Sequence, residues 1–417
     1  MAKETIIHTV LSSGLQIKLK QQAHQRTVNL GVFISHGTQD EDLQTSGAAH
    51  FIEHVVFNPN YLPQHLQELL NSLLEAGVSY EAATSKEYTR FMLTCLPKQI
   101  EQVLHALSLL VSSRHVSDAA IEHERPIILH EHAMHFSSSA VLKELLDHAL
   151  WGDHSLGLFV IGRKENILRF DRQELEERLH LHYVPERTSL VALGPIDVDS
   201  FVEQVDHYFE PWESSPRNFS DPIVVTEPRL AALPTNSSRI DLLIGYVGVP
   251  SDSRDRYAMD LLADILGGDL KSRLFVELRE KQKLAYLVHA YPTTYALGGY
   301  LAIRVNCNRE DLPRAHAAIQ QEIARIKADG VNEAELARVK ASRTRAVLMT
   351  LENSPQHLQL LGRRATRNDD FFVDLETRRI ETVQAEDIVR LAEEIFIPKN
   401  IAMVGFGPQD EELLQLI

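Results

Sequence analysis

The stretch His50-Phe51-Ile52-Glu53-His54 sets two histidines four residues apart, with a glutamate three after the first. On a helix, positions i, i+3 and i+4 share a face, so both imidazoles and the carboxylate project together. Two such nitrogens begin a zinc site, and the carboxylate beside them is a candidate general base. The order His-x-x-Glu-His inverts the common zinc-protease spelling. As a bare string it also occurs by accident, with solvated side chains. Its neighbours argue otherwise, because Phe51, Ile52, Val55, Val56 and Phe57 make the helix heavily apolar. Ionisable groups inside a buried helix need a partner, and a metal supplies one.

Zinc hydrolase sites take three protein ligands and leave one position for water. The third ligand must come from elsewhere in the chain. Ser117-Asp118 caps a second helical stretch that holds Glu122, Glu124 and Glu131. Glu124 and Glu131 are seven apart, two turns along one face. One of them can bind metal while the other orients a histidine. His130, His132 and His135 are rival ligands by chemistry. Pro126 lies inside the stretch and should kink it, since proline removes a backbone hydrogen bond. Zinc lowers the pKa of a bound water toward ~7. Glu53 is then placed to take the proton and return it to a leaving amine.

The chain has 417 residues, 44% hydrophobic and 24% charged, enough for two or more cores. Its formal net charge is −16 and it carries no Lys/Arg block, which argues against a nucleic-acid surface. No run approaches the ~18 apolar residues of a membrane helix. The opening Met1-Ala2-Lys3-Glu4-Thr5 lacks the regions of a signal peptide, so a cytoplasmic location without membrane is expected. The two cysteines, Cys95 and Cys307, provide no disulfide framework.

A weak internal repeat divides the sequence. Asn29–Ile34 resembles Asp241–Tyr246 at an offset of 212, and Cys95 and Cys307 fall in the same register. Val184-Pro185 through Leu193-Gly194-Pro195 resembles Ile397-Pro398 through Phe406-Gly407-Pro408 at an offset of 213. Between the halves, residues 209–236 hold five prolines and read as an extended linker. The expected domains are therefore 1–208 and 237–417. Strand patterns occur at Thr5–Val10, Gln16–Lys20, Thr27–Ser35 and Glu87–Leu96, and helical ones near 43–57, 63–75, 99–112, 117–135 and 172–183. This predicts an α+β fold of two homologous domains, each an antiparallel-rich sheet with packed helices. His50 and His54 align near Leu262 and Leu266, so one zinc site per chain is expected.

Taken together, these segments resemble the M16 metallopeptidases. The entry Gly37-Thr38-Gln39-Asp40-Glu41 through Ser46-Gly47-Ala48-Ala49-His50 to His54 is similar to the family's zinc-helix segment. Glu131 stands 77 positions after His54, the spacing of the family's third ligand, and Glu124 matches its supporting glutamate. The stretch Ala82 to Thr89 resembles its substrate-side strand, and His154-Ser155-Leu156-Gly157 with Gly162 a later segment. In the second half, Gly267 to Phe275, Leu278-Arg279-Glu280-Lys281 and Leu284-Ala285-Tyr286 resemble its Arg/Tyr segment.

The resemblance implies a zinc endopeptidase that cuts peptides or unfolded segments inside a dimeric clamshell, with His50, His54 and Glu131 as ligands and Glu53 as base. It implies that Arg279 and Tyr286 hydrogen-bond the substrate carbonyl or the developing oxyanion from a partner subunit. A homodimer fits a chain carrying both sets, with a heterodimer of related subunits as the alternative. Two further readings stand beside it: a dedicated peptide-maturation protease, and a non-catalytic peptide-binding subunit. The chain departs from the family at three places. Glu81 stands where Asn is usual and adds negative charge near the metal; Asn58-Pro59-Asn60 replaces Lys-Gly-Thr; Leu158 replaces an Arg. These bear on substrate preference rather than on zinc binding.

Overall fold

Every residue of Val28–Ile34 and of Thr188–Gly194 is buried, which demands cover on both faces of the sheet they share. The computed structural model describes residues 6–212, 230–234 and 239–407. Residues 1–5, Pro408 and most of the expected linker (213–229 and 235–236) lie outside the described residues. In the first sheet, β1 (Ile6–Val10), β2 (Gln16–Gln21), β3 (Val28–Ile34), β4 (Ser79–Thr84), β5 (Thr89–Cys95) and β6 (Thr188–Gly194) run in the order β1-β2-β6-β3-β5-β4. All neighbours are antiparallel except β2 and β6.

Alternation along β3 assigns the two covers. Gly31 and Phe33 face the helix Ser354–Ala365, where a Cβ on Gly362 would lie 2.2 Å from the Phe33 ring. Val32 pairs with Phe91 of β5, and Phe91 meets Phe57 of the helix Ala48–Phe57 at 5.5 Å between ring centroids. The His50 helix therefore lies on the face opposite Ser354–Ala365. Among the described residues β4 is an outer strand of this sheet, paired with β5 alone.

The second sheet contains β7 (Leu230–Pro234), β8 (Arg239–Val247), β9 (Ala285–Thr294), β10 (Gly299–Asn308) and β11 (Ile401–Gly407), ordered β7-β11-β8-β10-β9. Only β7 and β11 are parallel. Leu146 of the helix Leu142–Trp151 packs over Gly245 of β8. Leu262 and Leu266 are fully buried in the helix Arg256–Gly267, deep in the apolar core, where the first half carries its histidines.

The repeat is visible as ladder register. Val28 pairs with Cys95 and Ile240 with Cys307; Ile34 pairs with Thr89 and Tyr246 with Leu301. Each second pair is the first displaced by 212 residues. The observed class is α+β with mixed sheets. The compact units are interleaved in the chain, unlike two contiguous halves. Residues 135–157 belong to the second unit and 349–372 to the first, so each sheet receives one covering helix from the other half of the sequence.

Local boundaries also shift. The helix expected from residue 43 begins at Ala48, because Gly47 has a φ of 98°. The segment read as one strand from Ala82 to Thr89 is the end of β4, a turn and the first residue of β5. The helix Asp118–Phe136 runs as one element through Pro126. Cys95 and Cys307 are free and buried, and burial pushes their thiols up to about 12 and about 11.

Candidate metal centre

The His50 helix begins without a side-chain cap of its own, and the first amides of a helix lack internal acceptors. Glu41 supplies them from outside. Its two carboxylate oxygens accept from the Gly47 N–H at 2.9 Å and the Ala49 N–H at 2.7 Å. Burial pushes the Glu41 carboxyl up to about 8, against the pull of those two amides. Asn166 donates to the carbonyls of Leu43 and Ser46, both at 3.0 Å. Gly162, with a φ of 82°, lies so close that a Cβ there would sit 2.3 Å from the Gly47 Cα. Gly162→Ala is expected to destabilise the fold by about 1–3 kcal/mol from backbone conformation alone, with displaced main chain adding to it. A urea midpoint equal to wild type would contradict this.

From that anchored start, Phe51, Ile52, Val55 and Val56 face the core, while His50, Glu53 and His54 share the half-buried face. The ring centroids of His50 and His54 are 4.7 Å apart. Glu131 Oε2 lies 3.8 Å from His50 Nε2 and 3.3 Å from His54 Nε2. One ligand atom from each of the three lies within 4.8 Å of the others. His130, His132 and His135 do not join this group; His135 instead meets Glu144 at 3.2 Å. Glu122 is exposed and paired with Arg125.

Glu124 sits one layer out, with its Oε2 2.9 Å from His54 Nδ1. That contact turns Nε2 of His54 toward Glu131, the orientation a ligating imidazole needs. Glu124 also receives Asn58 Nδ2 and faces His123 Nδ1 at 3.1 Å. Burial pushes its carboxyl up, but Asn58, His54 and His123 together hold it below the ordinary range. Glu53, on the same helix face as the two histidines, accepts from Thr84 Oγ1 at 2.6 Å. Burial raises the Glu53 carboxyl, partly offset by the Thr84 hydroxyl and by His54.

The donor set fits a borderline-soft cation such as zinc: two imidazoles, one carboxylate and a fixed outer carboxylate. A second trio, His36, Asp40 and His182, also falls within range. There Arg187 donates to both Asp40 oxygens at 2.9 Å and to His182 Nδ1 at 3.0 Å. The guanidinium already occupies a cation's place, so this trio is a buried ion-pair network.

Two departures now have structural content. Tyr80 meets Phe57, and Thr84 meets Glu53, so these residues of β4 face the His50 helix. Glu81 lies on the opposite face and pairs with Arg90. The negative charge expected beside the metal is therefore turned away and neutralised. Leu158 contributes its carbonyl, which accepts from the buried Lys86.

In the second unit, Phe275–Lys281 forms a π-helix, a rare geometry frequent at functional sites. Arg279 is exposed, donates to the Tyr286 carbonyl at 2.7 Å, and its guanidinium lies 5.1 Å from the Tyr286 ring centroid. Tyr286 is 66% exposed on β9, so it is no part of the strand core. The two side chains form one exposed pair. Glu41, Thr84 and Asn58 support the site without any independent sign in the sequence; only the nearness of Glu41 to a helix start hints at capping.

The family model described as "Insulinase (Peptidase family M16)" matches residues 16–164, and "Peptidase M16 inactive domain" matches residues 169–343. An uncharacterized zinc protease of Bacillus subtilis, YmxG, is 27% identical over 89% of this chain and 92% of its own length. A probable mitochondrial-processing peptidase subunit beta of Arabidopsis thaliana is 23% identical over 98% of this chain and 79% of its own. The crystal structure of a protease from Helicobacter pylori superposes with a TM-score of 0.88 at 20% identity, covering 97% of this chain and all of that one. Among the described residues no helix is long and apolar enough to cross a membrane. With family models matched over both halves of the sequence, the chain belongs to the M16 family of peptidases.

Proposed function

We propose that this protein is a zinc endopeptidase that cuts peptides or unfolded segments, acting as a dimer. The observation that carries the reading is the convergence of Glu131, from a second helix, on His50 and His54, with Glu53 on the same helix face as the two histidines. His50, His54 and Glu131 would hold one zinc per chain. When bound, zinc supplies a Lewis acid that polarises the scissile carbonyl and acidifies water. Glu53 takes the proton of the attacking water and passes it to the leaving amine. Glu124 keeps the proton on His54 Nδ1 and leaves Nε2 for the metal.

A peptide adds to the outer edge of β4, in line with Thr84 and hence with Glu53. Arg279 and Tyr286 of the partner subunit bind the carbonyl oxygen as charge develops on it. A homodimer then holds two sites; a heterodimer with a related subunit is the alternative assembly. General peptide degradation and dedicated maturation of one precursor set share this chemistry. Mapping cuts across a mixed peptide library separates them, since scattered cuts exclude the dedicated role.

Metal removal tests the core of the reading. Dialysis against a chelator should abolish cleavage, and one equivalent of zinc per chain should restore it. A chain that binds no zinc at neutral pH is instead a non-catalytic peptide-binding subunit.

A further inference from the structure

The His50 helix ends at Asn58, which leaves helical geometry with φ −81° and ψ 106°. Pro59 follows, and a residue before proline is driven out of the helical region. Asn58 lies four residues after His54, on the same helix face. Its side chain does two things at once. Oδ1 accepts the Asn60 N–H at 3.0 Å, and Nδ2 donates to Glu124 Oε1. The amide has only one orientation that satisfies both contacts. The Asn60 N–H is purely a donor, so oxygen must face it, and the donor end must face the carboxylate.

Glu124 carries that constraint inward. Its side chain is 5% exposed, and its other oxygen meets His54 Nδ1 at 2.9 Å. His123, packed against the Tyr61 ring at 5.0 Å between centroids, reaches the same oxygen as Asn58. A carboxylate with one oxygen pinned has little freedom to rotate the other away from His54.

We propose that Asn58 is a positioning residue for the metal centre: its amide fixes Glu124, and Glu124 in turn fixes the tautomer and aim of His54. The inference rests on the zinc-site reading above and deepens it. It gives one departure from the family pattern, Asn58-Pro59-Asn60, a task in this chain. The turn and the metal support are built from the two ends of one amide.

Asn58→Asp separates those two tasks. The new carboxylate keeps an oxygen for the Asn60 N–H, so the turn stays, but it sets a second negative charge against Glu124. Zinc affinity, read by competition with a chromogenic chelator, should fall about 10–100-fold. The visible absorption of the cobalt-substituted protein should change shape, which loss of stability alone does not cause. The double variant Asn58→Asp with Glu124→Gln restores a donor–acceptor pair in reverse. The amide introduced at position 124 donates to the carboxylate introduced at position 58, and its carbonyl accepts from His54. That variant should bind zinc about tenfold more tightly than Asn58→Asp alone. If Asn58→Asp does not fold, Asn58→Ala carries the same measurement. Wild-type zinc affinity and an unchanged cobalt spectrum in the single variants would overturn the role of Asn58 while leaving the zinc site standing. A wild-type chain that binds no zinc overturns both.

Discussion

Glu53→Gln should retain one zinc per chain and lose peptide cleavage by about 10²–10⁴-fold, the usual worth of a positioned general base. The substitution is nearly isosteric. The amide carbonyl it introduces can still accept from Thr84 Oγ1, which donates to Glu53 at 2.6 Å in the wild type. Helix packing is untouched, because Glu53 lies on the half-buried face and the core contacts come from Phe51, Ile52, Val55 and Val56. What disappears is a group able to accept a proton from water. The loss should fall on kcat with KM little changed, the signature of an interaction made in the transition state. Zinc content measured on the same preparation separates this outcome from a damaged site. Cleavage within about tenfold of wild type, in protein free of contaminating protease, would remove Glu53 from its role.

The histidine pair is legible in the sequence because helix periodicity is local. His50 and His54 need only one turn between them, and their apolar neighbours fix which face is buried. Glu131 is reachable only through the resemblance, since residue spacing leaves Glu124 and Glu131 interchangeable. The structure separates them by depth: Glu124 is nearly buried behind His54, while Glu131 faces both imidazoles at the surface. The repeat is legible as an offset of 212, and it reappears as ladder register. The exchange of helices between units is not legible. An amphipathic stretch such as Ser354–Ala365 shows which face is buried but never which sheet buries it. The capping of the His50 helix by Glu41 escapes for a similar reason, because the carboxylate acts across a loop with no periodic signature. Reading charge without strand parity misplaces Glu81: one residue along β4 moves a side chain to the other face.

Arg279→Ala should lower cleavage by about 10²–10³-fold, as removal of an oxyanion-stabilising donor does, with zinc content unaffected. Arg279 is exposed and stacks on Phe275 and Tyr286, with its donor on the Tyr286 carbonyl. An exposed arginine of this kind contributes little to stability, so the urea midpoint should hardly move. The proposed assembly makes a sharper claim than the loss itself. If Arg279 serves the zinc of the partner subunit, then Glu53→Gln and Arg279→Ala lie in different halves of each site. Mixing the two inactive homodimers under conditions of subunit exchange gives heterodimers with one intact site and one doubly defective site. In a two-fold dimer with random exchange, activity should recover to about a quarter of wild type. Tyr286→Phe mixed with Glu53→Gln should behave in the same way if Tyr286 acts through its hydroxyl. No recovery, with exchange verified by differently tagged chains, would place Arg279 and Glu53 in the service of the same subunit and exclude the shared site. Recovery would also decide the assembly, because it requires this chain to pair with itself.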